Sequence, residues 1–155
     1  MAAQSYPDAS DCAQAWQAEA RAWFGTPYRH QASRRGVGAD CLGFVAGVWA
    51  DVYGDAPGFD RTYARSWAET GEHERLLAAC HRFCGPVDAK DAQPGDLLVF
   101  RFRPEALAKH IAILFPDGFM AHAIDRRPVA LEPFTAWWQR HLAGVFRPPL
   151  TYQTD

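Results

Sequence analysis

The chain reads as an α+β domain, and three observations carry that reading. Helix-period apolar patterns fill its first half, the period changes to that of strands after Pro94-Gly95, and one hairpin turn sets a strand register. With 155 residues, 48% of them hydrophobic, the chain can bury one core, so a single domain over 1–155 is expected. Its 16 basic and 18 acidic residues leave a formal charge of −2. That balance argues against wholesale binding to nucleic acid or to an anionic membrane, and the apolar content argues against disorder. No stretch approaches the roughly 20 apolar residues needed to cross a bilayer.

Residues 8 to 24 open with Asp8 and Ser10 as capping candidates, repeat apolar residues at Ala13, Trp16, Ala20 and Trp23, and stop at Gly25, which predicts an amphipathic helix. Thr26 to Asp40 hold Pro27, Gly36, Gly38 and the basic group Arg29, Arg34 and Arg35, and read as an ordered loop. Asp40 then caps an uncharged segment beginning at Cys41, with Gly54 as its stop. That segment is a buried helix, and its Gly43, Ala46, Gly47 and Ala50 imply that another backbone packs close against it. A third helix is expected over Arg65 to Phe83. Strands follow at Asp96 to Phe102, His110 to Phe115, Phe119 to Ile124 and near Val129 to Leu131, then a short helix from Pro133 through Trp138 and a last strand at Ala143 to Phe146.

Four cysteines, at 12, 41, 80 and 84, are too few and too irregular for a disulfide framework and are read as thiols. Cys80-x3-Cys84 would need a second ligand pair to hold zinc, and none is evident, so no metal or cofactor is expected. Cys41 differs from the rest by position. It leads a helix, where unpaired N–H groups and the positive end of the dipole favour a thiolate. Buried cysteines are usually inert packing, so partners decide the matter. A thiol nucleophile needs a base, and the base needs a third group to hold its tautomer.

The hairpin supplies both. Phe115-Pro-Asp-Gly-Phe119 fits a three-residue loop with Gly118 left-handed, and pairing Phe115 with Phe119 sets Ala112 opposite His122. His110 then projects from the same face as His122, the two Cβ atoms roughly 7 Å apart as diagonal neighbours. Either histidine alone would be read as a satisfied half-buried ring. His30, His73, His81 and His141 lie in loop or polar contexts and are expected to be solvated. The arginines preceding Cys41 are candidates to bind an anionic substrate group.

These residues resemble the NlpC-type cysteine peptidases of bacterial cell walls, which have a papain-like fold. The landmarks run in order through Gly25-Thr-Pro-Tyr28, Asp40-Cys-Leu-Gly-Phe44, Pro94-Gly-Asp-Leu-Leu-Val-Phe100, His110-Ile-Ala-Ile-Leu114 and Met120-Ala-His-Ala123. The likeness implies Cys41 as nucleophile, His110 as general base and acid, and His122 as the polar residue that orients His110. It implies Tyr28 beside the nucleophile, Asp40 as the helix cap, and the Cys41 N–H in an oxyanion hole. Two departures, Leu42 where a small residue is usual and His30-Gln31 where glycines are usual, bear on pocket shape. The implied activity is a peptidoglycan endopeptidase cutting a stem-peptide amide, D-γ-glutamyl to diaminopimelate, with Arg29, Arg34 or Arg35 binding its carboxylates.

Asp-Cys-Leu-Gly, together with a polar start that shows no secretion signal, resembles the branch found with phage tails and gene transfer agents. That implies synthesis in a bacterial cytoplasm, tail-tip or hub proteins as partners, and carriage by a phage-like particle to the cell wall. The other reading is a structural plug or adaptor at a tail tip with an occluded or idle site, using Pro148-Pro149 and surface Trp137 and Trp138 as docking elements.

Overall fold

The computed structural model describes residues 4–57 and 74–153. Helix α1 (Ala9–Arg21) starts at Asp8, whose carboxylate accepts the Asp11 N–H at 2.9 Å. Ser10 therefore lies inside the helix. Cys12, Trp16 and Ala20, four residues apart, form its buried stripe. The helix stops at Arg21, short of the expected 24, because the chain tightens into turns that bring the Gly25 N–H to the Val129 carbonyl at 2.8 Å.

The basic segment expected as a loop contains a small hairpin, β1 (Ser33–Arg34) paired antiparallel with β2 (Gly38–Ala39). Strands of two residues are too short to show a period. Helix α2 (Cys41–Tyr53) follows as expected and ends at Gly54, whose φ of 93° needs glycine. A Cβ on Gly43 would stand 1.8 Å from the Ala32 carbonyl oxygen, so a backbone does press on the start of α2. At Gly47 the neighbour is instead the Trp23 indole, 2.2 Å from the same construction. Helix α3 (Arg75–Phe83) is the described end of the third expected helix; positions 65–73 lie outside the described residues.

The rest is one antiparallel sheet of six strands in the order β3-β8-β4-β5-β6-β7. Its members are β3 (Gly85–Val87), β4 (Leu97–Phe100), β5 (His110–Phe115), β6 (Phe119–Ile124), β7 (Arg127–Pro133) and β8 (Leu142–Arg147). The edge strand β3 has no counterpart among the sequence expectations. Pro133 closes β7 rather than opening a helix, and α4 (Ala136–Arg140) begins beyond it.

The β5–β6 hairpin has the expected register, Phe115 with Phe119 and Ile113 with Ala121. Its loop differs in detail: Asp117 as well as Gly118 is left-handed, at φ of 62° and 78°. The residue count, which decides the facing, is unchanged. Alternation along β4 and β5 then divides the sheet. Leu97, Val99, Ile111 and Ile113 join Trp16, Phe44 and Trp49 from the helices, whereas Leu98, Phe100, Ala112 and Leu114 join Trp138 of α4 on the other face. Pro148 and Pro149 are not an exposed docking tail. Pro148 is buried, the Tyr53 hydroxyl donates to the Pro149 carbonyl, and the Tyr6 N–H reaches Leu150.

Candidate active site

Asp40 builds the start of α2 with both carboxylate oxygens. One accepts the Gly43 N–H and the other the Gln31 N–H, each at 2.7 Å, so the cap also ties the preceding loop to the helix. Cys41 follows immediately. Its thiol points at the Lys109 carbonyl, 3.8 Å away, and the backbone N–H groups of Ile111, Leu42 and Cys41 itself are turned on the sulfur.

Cα pairing between β5 and β6 ends at Ile113 with Ala121, although both strands run on past it, and the β6–β7 register shifts between His122 and Ile124. Irregular pairing of this kind re-aims side chains beside sites. His110 and His122 keep the diagonal relation expected of them, with His110 Nε2 at 2.8 Å from His122 Nδ1. That leaves His110 Nδ1 as the ring nitrogen available to the thiol.

The ring pair is walled by hydrocarbon. Trp138 lies 5.6 Å from the His110 ring and 5.3 Å from His122, Phe100 and Phe102 stand 5.9 and 5.8 Å from His110, and the two imidazoles are only 5% and 4% exposed. Burial therefore holds the His110 imidazole well below its ordinary range, with His122 and Lys109 adding to the effect. His122 is lowered as well, by burial, while Glu132 pulls the other way.

The thiol does not behave as its helix position suggests. Burial first, and then the Asp40 carboxylate, push Cys41 up to about 12, outweighing the three N–H contacts that pull it down. Burial and Asp40 thus oppose the thiolate that the helix start favours.

Tyr28, His30, Asp40, Cys41, Lys109 and His110 line a cavity of about 240 Å³ that opens on the sulfur, with Phe102 and Asp125 on its wall. Tyr28 reaches it through a bridge to Ala39. Arg34 and Arg35 are exposed and do not line it; Arg35 stands 3.9 Å from Asp51. Arg29 lies instead across Gly38. The hairpin β1–β2 carries Arg34 and Arg35, and basic side chains on the cavity wall are Lys109 and His30. His30 was expected to be solvated, as was His141, which stacks on Trp137 at 4.0 Å. A larger cavity of about 420 Å³ lies between α1 and the C-terminal tail, but its charged groups, Asp96 and Arg147, are bonded to each other at 3.0 Å.

Residues 25–147 match the NlpC/P60 family. The chain belongs to that family. A solved NlpC/P60 family protein from Bacillus cereus is 25% identical, with a TM-score of 0.64 over 94% of this chain and 44% of its own. The NlpC/P60 domain of the peptidoglycan hydrolase SagA superposes with a TM-score of 0.61 at 24% identity, over 86% of this chain and 97% of that one. The peptidoglycan hydrolase RipB of Mycobacterium tuberculosis gives 0.60 at 18%, over 93% and 67%. The chain thus spans under half the length of the Bacillus cereus protein. No curated protein matches it significantly. The papain-like α+β fold expected of an NlpC/P60 member is the fold observed.

One charged neighbour of the pair had no sequence signal. Glu132 of β7 sits opposite Met120, diagonal to His122, and its Oε2 is 2.7 Å from His122 Nε2. Trp138, read as a surface docking residue, is 7% exposed and forms the wall behind both imidazoles, while Trp137 remains 46% exposed. Among the described residues no cluster of His, Cys, Asp and Glu forms a metal site.

Proposed function

We propose that the chain is a cysteine endopeptidase of peptidoglycan, cutting the D-γ-glutamyl to diaminopimelate amide of the stem peptide. The observation that carries this reading is the Cys41 thiol and the His110 imidazole on one cavity within an NlpC/P60 fold. The SagA and RipB structures, described as peptidoglycan hydrolases, support the substrate class.

The reaction is acyl transfer. His110 Nδ1 takes the thiol proton as sulfur bonds to the amide carbon, and the new oxyanion faces the N–H groups at the start of α2. The His110 imidazolium returns that proton to the departing amine as the C–N bond breaks. Water, deprotonated by the same imidazole, then attacks the thioester; the C–S bond breaks, the acid leaves and the thiol is restored. Starting from a neutral pair suits a buried site, since charge separates only once substrate has displaced water.

Carriage by a phage-like tail, with tail-tip or hub proteins as partners and the cell wall as place of action, is the finer part of the proposal. It rests on the likeness of Asp40-Cys-Leu-Gly43. Digestion of purified sacculi by the wild type and by Cys41→Ala tests the activity, with mass spectrometry identifying the fragments. The wild type should release fragments cut between D-glutamate and diaminopimelate, and the variant none. Equal release by both would end the proposal and favour an idle structural domain.

A further inference from the structure

The staircase of side chains on the α4 face of the sheet does not end at His122. His110 on β5, His122 on β6 and Glu132 on β7 are successive diagonal neighbours, joined at 2.8 and 2.7 Å. Glu132 Oε2 is buried, and among the described residues the His122 ring nitrogen at 2.7 Å is the cation-capable atom against it. We propose that Glu132 is a positioning residue that fixes the direction of hydrogen bonding through both imidazoles, so that His110 always presents a bare Nδ1 to Cys41. This rests on the peptidase reading above.

The direction follows from what each group can do. A carboxylate only accepts, so the proton of a neutral His122 must be on Nε2, which leaves its Nδ1 with a lone pair. That lone pair accepts from His110 Nε2–H, and a neutral His110 carrying its proton on Nε2 has Nδ1 free to act as base. Without the carboxylate nothing decides between this chain and its reverse. In the reverse, His110 Nδ1–H points at the thiol and cannot take its proton. When His110 does take it, the new positive charge lies one imidazole away from Glu132, which stabilises the charge-separated state in a poorly solvated site.

Other charged or titratable groups surround the pair. Lys109, just ahead of β5, adjoins His110 and lowers it, Asp125 after β6 shares its cavity, Cys41 lines that cavity from α2 with Asp40 behind, and Arg127 of β7 stands 3.9 Å from Glu132 and lowers His122. From α4 the contact is the uncharged Trp138. Glu132 is thus the acidic group that acts directly on His122.

The test uses the intact protein with Glu132→Gln, which keeps shape but can accept or donate, and Glu132→Asp as the conservative variant. Nitrogen NMR of the histidine rings should show both His110 and His122 as Nε2–H tautomers in the wild type and a mixture in Glu132→Gln. On a stem-peptide substrate Glu132→Gln should lose roughly tenfold to a hundredfold in kcat with KM little changed, a smaller loss than that from a wrong tautomer in a serine triad. Glu132 raises His122 and its charge favours an imidazolium one ring away at His110, so its removal should move the acidic limb of kcat/KM to lower pH, and Glu132→Asp should restore part of both effects. A merely structural Glu132 would lower Tm and leave tautomers and limb in place, and that result overturns the proposal. The tautomer measurement needs no substrate, so it decides about Glu132 even if no peptidoglycan bond is cut.

Discussion

The two faces of the sheet are both lined with aromatic rings, yet they use them for different ends. On the helical face Trp16, Trp49 and Tyr53 meet edge to face or tilted, with centroids 5.1 to 6.1 Å apart, around a site with no imidazole. There the rings bury area and lock α1 on α2. On the α4 face Trp138, Phe100 and Phe102 surround two imidazoles and keep them dry. One set of rings contributes stability, and the other shifts protonation. Cys41 lies at the seam, reaching from the helical face to the imidazoles where β5 and β6 part.

The sharpest way to break this contrast is to remove an indole from the helical face. Trp49 is 1% exposed and packs on Trp16, Tyr53, Phe83 and Tyr152. Trp49→Ala should cost about 3–5 kcal/mol in denaturant unfolding, because the cavity it leaves is enclosed by other rings. Below the unfolding transition its tautomers at His110 and His122 should match those of the wild type. A changed tautomer population in folded Trp49→Ala would show that the two faces are not separable.

The faces should also fail at opposite ends of the pH scale. His110 and His122 are held below their ordinary value of 6.5, so the unfolded chain takes up protons that the folded one refuses, and stability falls as pH drops below about 6.5. Burial raises Cys80 from 9.0 to about 12 and raises Cys12, Cys84 and Tyr53 as well, so folded thiols keep protons that unfolded ones lose. Stability therefore falls as pH rises above about 9, with Cys41 adding to this branch from the seam. In a series of Tm measurements, replacing both histidines by Asn should flatten the acid branch alone. Replacing Cys80 and Cys84 by Ala should flatten part of the alkaline branch alone. An acid branch that survives loss of both histidines would refute the division.

What the sequence made legible follows the same lines. Cys41 at a capped helix start and the two histidines on one face could be placed because Asp40, Gly54 and the Pro116-Asp-Gly118 loop are local signals that set boundaries and register. Glu132 could not, since its position depends on the turn from β6 to β7. That turn has no glycine: its left-handed residue is Arg126, at φ of 70°, and the register shift at Ala123 has no compositional mark. Extending the strand expected at Val129 to Leu131 by alternation still leaves its pairing unset, because the irregularity at Ala123 shifts the register by one residue. The arginines misled for the opposite reason. They adjoin Cys41 in sequence, but a two-residue hairpin suffices to turn them outward.

The finest test compares two indoles on the helical face itself. Trp16 Nε1 donates to the Tyr53 hydroxyl at 3.1 Å, whereas Trp49 Nε1 is buried with no hydrogen-bond partner. An unmade bond of that kind costs about 1–3 kcal/mol, so Trp49 gives back part of what its packing contributes. Phenylalanine at either site leaves a smaller void than alanine, but only at position 49 does it also remove an unsatisfied donor. Trp49→Phe should therefore change unfolding free energy by less than about 1 kcal/mol, and Trp16→Phe should cost about 1–2 kcal/mol more than that. Equal losses at the two positions would mean that the buried Trp49 N–H carries no penalty, and that on this face ring area alone decides stability.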